Sequence, residues 1–160
     1  MFREMRRKQN SMSESDTLDL LKRGQEGTLG TIGENNYPYT VVLNYVFLDN
    51  KIYFHSAKTG HKIDNILHNK NVSFTVYDSV EIIQEKFTTK YMSVTIFGHA
   101  KIVESNQEIM MKLIEKYSPN FKYILDNSTN KGILINYIPN ISGLYNYDYD
   151  RNDRSISITL

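Results

Sequence analysis

The 160 residues carry 19 Lys and Arg against 18 Asp and Glu, a formal charge of +1, with 12 Tyr, 7 Phe and neither Cys nor Trp. The near-balance argues against a bulk electrostatic grip on nucleic acid, and the missing cysteines exclude disulfides, thiolate nucleophiles and Cys-based metal or iron–sulfur centres. A hydrophobic share of 40% without an apolar run near the roughly 20 residues of a membrane span predicts a soluble globular chain. The basic N-terminus has no apolar core of a secretory signal, so the expected location is cytoplasmic. The length suits a single domain over 1–160, with an N-terminal arm at 1–12 and a tail at 148–160.

In chain order, Arg3, Arg6, Arg7 and Lys8 make the arm a solvated basic tail. Ser13 or Ser15 caps a short helix that continues through Leu18, Leu21 and Lys22 and is stopped by Gly24 and Gly27. A two-residue period then predicts strands over 28–32 and 37–48, separated by the turn Gly33-Glu34-Asn35-Asn36. The longer one has Tyr39, Val41, Leu43, Tyr45 and Phe47 on one face and Val42, Val46 and Leu48 on the other. Such two-sided apolarity suits a barrel strand covered outside by a helix or a second subunit. Asp49-Asn50-Lys51 turns the chain into a strand at 52–56, and a helix over 61–68 follows with Ile63, Ile66 and Leu67 inward. Strands at 72–77 and 91–103 flank a charged connection at 78–89, with Gly98 breaking the second. A helix from Ser105 through Tyr117 ends at Pro119; a weak helical stretch at 121–125 and strands at 132–138 and 141–147 complete the order. Short helices between hairpins, without βαβ alternation, predict a mainly β (α+β) fold built as a mostly antiparallel barrel.

The stretch Ser56-Ala57-Lys58-Thr59-Gly60-His61-Lys62 lies at a strand-to-helix turn, where unpaired N–H groups and the positive dipole end favour an anion. Lys58, His61 and Lys62 add like charge there, unfavourable by about 0.3–1 kcal/mol each unless an anion neutralises them. A bound phosphate accounts for that pattern, and so do three side chains fanned into water. The glycine spacing is not that of a P-loop. Asn44 is a carboxamide within the apolar run 40–47 and, if buried, needs partners from backbone or from a heteroaromatic ligand. His55, His61, His68 and His99 show no metal-ligand spacing, and no Ser-His-acid set stands out, so neither a metal site nor a catalytic residue is nominated.

Several segments together carry a resemblance: Met5-Arg6-Arg7-Lys8, Val42-Leu43-Asn44-Tyr45, Tyr53-Phe54-His55-Ser56-Ala57-Lys58 with Gly60-His61-Lys62, Tyr91-Met92-Ser93-Val94, Phe97-Gly98-His99-Ala100 and Ile102-Val103-Glu104. Over about 5–141 the chain resembles the flavin-binding split-barrel superfamily typified by pyridoxamine 5'-phosphate oxidase, and within it the nitroimidazole-resistance (Nim) branch. The resemblance implies a split-barrel homodimer with two FMN sites at the subunit interface. It implies that Thr40, Val41, Val42, Leu43 and Asn44 line the isoalloxazine, largely through backbone. His55, Ser56, Lys58, Gly60, His61 and Lys62 would hold the ribityl phosphate, and Ser93 would reach the flavin from the other subunit. The branch often has Arg where this chain has His61, which is only partly protonated near neutral pH and lacks the bidentate fork. The pyridoxal-phosphate-binding motifs of the oxidase proper are not recognisable in the tail, so vitamin B6 oxidation is not expected. The implied function is an oxidoreductase passing electrons from a nicotinamide to a small acceptor such as a nitroimidazole. The alternative is a non-catalytic flavin or haem carrier or redox sensor.

Overall fold

Ser13 opens the first helix, α1 (Glu14–Arg23), in the computed structural model, which describes residues 5, 7–103, 107–120, 131–137 and 144–146, the last two stretches as backbone. The Ser13 hydroxyl accepts from the Asp16 amide at 3.1 Å. Glu14 and Asp16 sit in the first turn and Lys22 and Arg23 in the last, each matching the helix dipole. The chain divides into two compact units, one formed by Met1–Gly24, Thr75–Ile96 and Pro139–Leu160, the other by Gln25–Phe74 and Phe97–Ile138.

In the first unit, Gly24 ends α1 by donating to the Leu20 carbonyl at 2.9 Å, and Arg23 pairs with both Asp19 and Asp78. The outer halves of β5 (Asn71–Ile83) and β6 (Thr88–Val103) lie here, joined through a 3-10 turn, Gln84–Lys86, and Phe87 at a φ of 50°. The hydroxyls of Thr75 and Thr95 meet across these strands at 3.0 Å. The expected connection at 78–89 is therefore strand for much of its length. Val80 and Ile82 alternate with Ser79 and Glu81 at the two-residue period of a strand, within a charged stretch. The short strand β8 (Leu144–Asn146) runs antiparallel to β6 and sets Tyr145 opposite Ser93.

The second unit holds β1 (Glu26–Ile32), β2 (Pro38–Asn44), β3 (Val46–Leu48), β4 (Lys51–Ser56) and β7 (Lys131–Tyr137), with the inner ends of β5 and β6. The strand order is β2-β1-β5-β6-β7-β4-β3. The pairs β1–β2, β3–β4, β4–β7 and β6–β7 are antiparallel, as expected of a mainly β fold with short helices. Asp49 and Asn50, both at positive φ, make the tight turn between β3 and β4. Leu29, Tyr45, Ile52, Phe54 and Phe74 form the core, with the Tyr45 and Phe74 rings edge to face, centroids 5.1 Å apart. Gly27 does not stop α1. It belongs to β1, where a Cβ would run into the Phe74 ring.

The strand expected at 37–48 is two strands, interrupted at Tyr45, which is 0% exposed. Its backbone is taken by the end of α3 (Gln107–Tyr117). The Tyr45 amide donates to the Tyr117 hydroxyl at 2.9 Å, and that hydroxyl's one proton is shared between the carbonyls of Tyr45 at 2.7 Å and Gln25 at 2.5 Å. Lys116 Nζ donates to the Tyr45 carbonyl at 3.0 Å and lies 4.2 Å from the centre of its ring. Along β2, Pro38, Thr40, Val42 and Asn44 are exposed while Tyr39, Val41 and Leu43 are half-buried, so one face is partly covered and the other, with Val42 64% exposed, has no helix over it among the described residues. Arg3, Arg6, the helical stretch at 121–125 and the tail at 148–160 lie outside the described residues. Among the described residues no helix is long and apolar enough to cross a membrane, and no cluster of His and acidic side chains could hold a metal.

Candidate functional site

Helix α2 (His61–His68) has the boundaries its sequence predicts. Ile63 and Ile66 are buried, but Leu67, expected inward, is 72% exposed. The third inward place goes to Asn65, which is buried because its amide donates to Thr31 Oγ1 at 2.9 Å; Thr31 in turn donates to the Tyr39 carbonyl at 3.3 Å.

The start of α2 is open. Gly60 caps it with backbone only, at φ 125° and ψ 168°, a region essentially restricted to glycine. Its carbonyl accepts from the Ile63 and Asp64 amides at 2.8 and 3.1 Å, whereas the His61 and Lys62 amides find no acceptor among the described residues. Apart from its chain neighbours, no atom of the described residues lies within 4 Å of where a Gly60 Cβ would stand. Before the turn, β4 alternates, with Ile52, Phe54 and Ser56 buried and His55 exposed. Ser56 is 4% exposed, and its Oγ is buried with no hydrogen-bond partner among the described residues.

The remaining expected site residues divide by placement. Lys58 and His61 are exposed, and Lys62 is half-buried without an ion pair among the described residues. The His61 ring lies against Tyr39, centroids 4.1 Å apart and planes 35° from parallel, which brings the start of β2 to the start of α2. The structure thus joins the segment Thr40, Val41, Val42, Leu43 and Asn44 to the phosphate-like turn through one ring pair. Asn44 itself is exposed, so its carboxamide has no burial to offset. His55 faces away from the side that holds Ser56. Ser93 is buried in the part of β6 that belongs to the first unit.

Sequence reasoning missed Lys116 and Tyr117, whose partners lie 71 and 72 residues away. Burial lowers the Lys116 pKa to about 8 and raises that of Tyr117. It also missed a cavity of about 450 Å3 on the flank of α2, lined by Gly33, Glu34, Asn35, His61, Asp64, Asn65 and His68. The spacing of His61, Asp64, Asn65 and His68 along one helix face was the available signal.

A family model described as pyridoxamine 5'-phosphate oxidase matches residues 13–133. The chain belongs to the pyridoxamine 5'-phosphate oxidase family. Its sheet-rich architecture is the split barrel of that family. Among solved structures, a conserved hypothetical protein from Mycobacterium tuberculosis is 20% identical, with a TM-score of 0.71, over 90% of this chain and 89% of that one. A candidate 5-nitroimidazole antibiotic resistance protein from Bacteroides thetaiotaomicron is 16% identical, with a TM-score of 0.67, over 78% and 80%. An FAD and haem binding protein from Mycobacterium smegmatis is 12% identical, with a TM-score of 0.73, over 90% and 76%. No curated protein matches the chain. At these identities the neighbours establish the fold of this oxidase-family member. Its chemistry has to come from its own residues.

Proposed function

We propose that the protein binds FMN in its second unit and acts as an oxidoreductase, passing electrons from a nicotinamide to a small acceptor such as a nitroimidazole. The observation that carries this reading is the buried hydroxyl of Ser56, without a partner among the described residues, followed by a turn whose first helical amides are unused among them. A buried polar group without a partner costs about 1–3 kcal/mol. A phosphate oxygen that meets Ser56 and the amides of His61 and Lys62 offsets that cost, and the open side of Gly60 leaves room for it. Lys62 adds a charge-assisted hydrogen bond, and His61 adds charge when protonated.

β2 fits the ring. As the last strand in the order it has one row of backbone groups with no strand partner among the described residues. In this reading the N–H and C=O groups from Thr40 to Asn44 orient the isoalloxazine, with Tyr39 on His61 fixing the distance from ring to phosphate. The flavin, when bound, supplies the electron transfer, and these residues bind it, orient it and tune it by hydrogen bonding. The neighbours named for FAD and haem binding and for nitroimidazole resistance support this class of function. The functional assembly in the proposal is a homodimer, with Ser93 of one subunit reaching the flavin held by the other; sedimentation as a stable monomer at micromolar concentration would break that part.

The absorbance spectrum of freshly purified protein tests the cofactor, since flavin and haem bands are distinct. Anaerobic mixing with NADH or NADPH tests the activity. Bleaching of the flavin band, then reoxidation by a nitroimidazole, is the expected result. Tight flavin binding without bleaching would make the protein a carrier.

A further inference from the structure

The cavity beside α2 has a different chemistry from the turn. Its floor is Asn65, 4% exposed, which spends one amide hydrogen on Thr31 Oγ1. Its oxygen and second amide hydrogen have no partner among the described residues, so the carboxamide keeps one acceptor and one donor side by side. Opposite it runs the β1–β2 turn, which is held rigid from within. Gly33 donates to the Tyr37 carbonyl at 3.0 Å, Asn36 donates to the Gly33 carbonyl at 2.8 Å, and the Tyr37 amide donates to Asn35 Oδ1 at 3.0 Å. Asn36 takes the left-handed conformation that closes this turn. A Cβ at Gly33 would stand 3.0 Å from Asn35 Oδ1 and 3.3 Å from Asn65 Oδ1, so the glycine keeps the polar floor open.

The walls carry two carboxylates, Glu34 and Asp64, neither in an ion pair among the described residues, and two imidazoles, His61 and His68. Unpaired carboxylates repel a free anion and accept hydrogen bonds from a diol. Imidazoles offer flat faces for stacking. A carboxamide with adjacent donor and acceptor matches the N6/N7 edge of adenine. The volume, about 450 Å3, is within the range of about 300–1,000 Å3 for small-molecule sites. His61 belongs both to this cavity and to the phosphate turn, so a phosphate held at the start of α2 and a group in the cavity are neighbours.

We propose that the cavity of Glu34, Asp64, Asn65 and His68 binds an adenine nucleoside moiety. Carried by FAD, the nucleoside extends from the flavin phosphate at the turn; carried by NADH, whose adenosine ribose keeps its diol, it brings the electron donor to the same helix. The FAD form rests on the flavin reading above, whereas the nucleoside site does not.

Three titrations separate these cases: adenosine by calorimetry, FMN and FAD by flavin fluorescence, and NADH in the dark with the oxidised protein. Each is run on the wild type, Glu34→Ala and Asp64→Ala, both substitutions at exposed positions that leave the buried Asn65–Thr31 contact intact. Adenosine should bind the wild type and lose about tenfold in either variant. If the nucleoside comes with FAD, FAD binds the wild type at least tenfold tighter than FMN, and only the FAD affinity falls in the variants. If it comes with NADH, FAD and FMN bind alike and the NADH affinity falls in the variants. Absence of both flavins with adenosine still bound would sink the flavin reading and keep the site. Adenosine binding that is absent, or unchanged in both variants, overturns the proposal.

Discussion

Two places in the second unit leave regular structure, and they treat their polar groups in opposite ways. At Tyr45 the chain breaks between β2 and β3, yet its amide and carbonyl are met by Tyr117 and Lys116 within 2.7–3.0 Å. At Ser56–Lys62 a buried hydroxyl and two helix-start amides are met by nothing among the described residues. The first break is closed by the protein's own side chains and serves stability. The second is left open at an energetic cost, which the flavin proposal assigns to binding.

The largest effect expected from this contrast is on the closed side. Tyr117→Phe removes the hydroxyl that accepts from the buried Tyr45 amide and donates to the Tyr45 and Gln25 carbonyls, and should lower stability by about 1–3 kcal/mol in urea unfolding. Flavin affinity per folded molecule should stay the same; a large loss would mean that α3 also shapes the site. On the open side, Lys62→Ala should weaken FMN binding roughly tenfold to a hundredfold, since a charge-assisted bond contributes about 1.5–3 kcal/mol. Riboflavin, which lacks the phosphate, should be nearly indifferent to it. Equal losses for both ligands would assign Lys62 to the fold.

Ser56→Ala sharpens the contrast because its two effects have opposite sign. Removing an unpartnered buried hydroxyl should raise the stability of the flavin-free protein by up to about 1 kcal/mol, while FMN affinity falls severalfold. A loss of stability would show that the hydroxyl is satisfied in solution. The smallest effect is a pH dependence on the closed side. Burial holds Lys116 at about 8 in the folded protein, below the 10.5 of an exposed lysine, so the unfolded chain binds more protons between those values. Stability should therefore rise as pH goes from 8 towards 10, below the range in which Tyr117 ionises, and Lys116→Met should flatten the rise.

What could be read from the sequence follows the range of the interaction. The cap at Ser13, the turn at Asp49-Asn50 and both ends of α2 are decided within four or five residues, and they formed where their patterns put them. The strand-to-helix turn at 56–61 was legible for the same reason, while its stacked cations admit a phosphate or side chains fanned into water. The break at Tyr45 was not legible, since an apolar run reads as one strand until a tyrosine 72 residues later competes for its backbone. Nor was the face of α2: Leu67 fits the helical period better than Asn65, and only the Thr31 hydroxyl, on another strand, reverses the choice. Asn44 and His55 were singled out for their chemistry, and the alternation of β2 and β4 is what sets each on an exposed face. Glu34 and Asp64 read as ordinary surface acids until the turn and the helix bring them to one cavity.

The contact between Gly27 and the Phe74 ring also constrains how this sequence can drift. Every single-nucleotide missense change from a glycine codon adds at least a Cβ, and here any Cβ collides with the ring. The position is thus closed to stepwise substitution for as long as Phe74 stays aromatic. Change can enter only through the ring: once Phe74 has shrunk to an aliphatic residue, an alanine at 27 can fill part of the space it leaves. In a lineage of such chains the two sites should vary as a pair and in that order, which a deep mutational scan of both positions together would display as a block of tolerated doubles without the Gly27 singles.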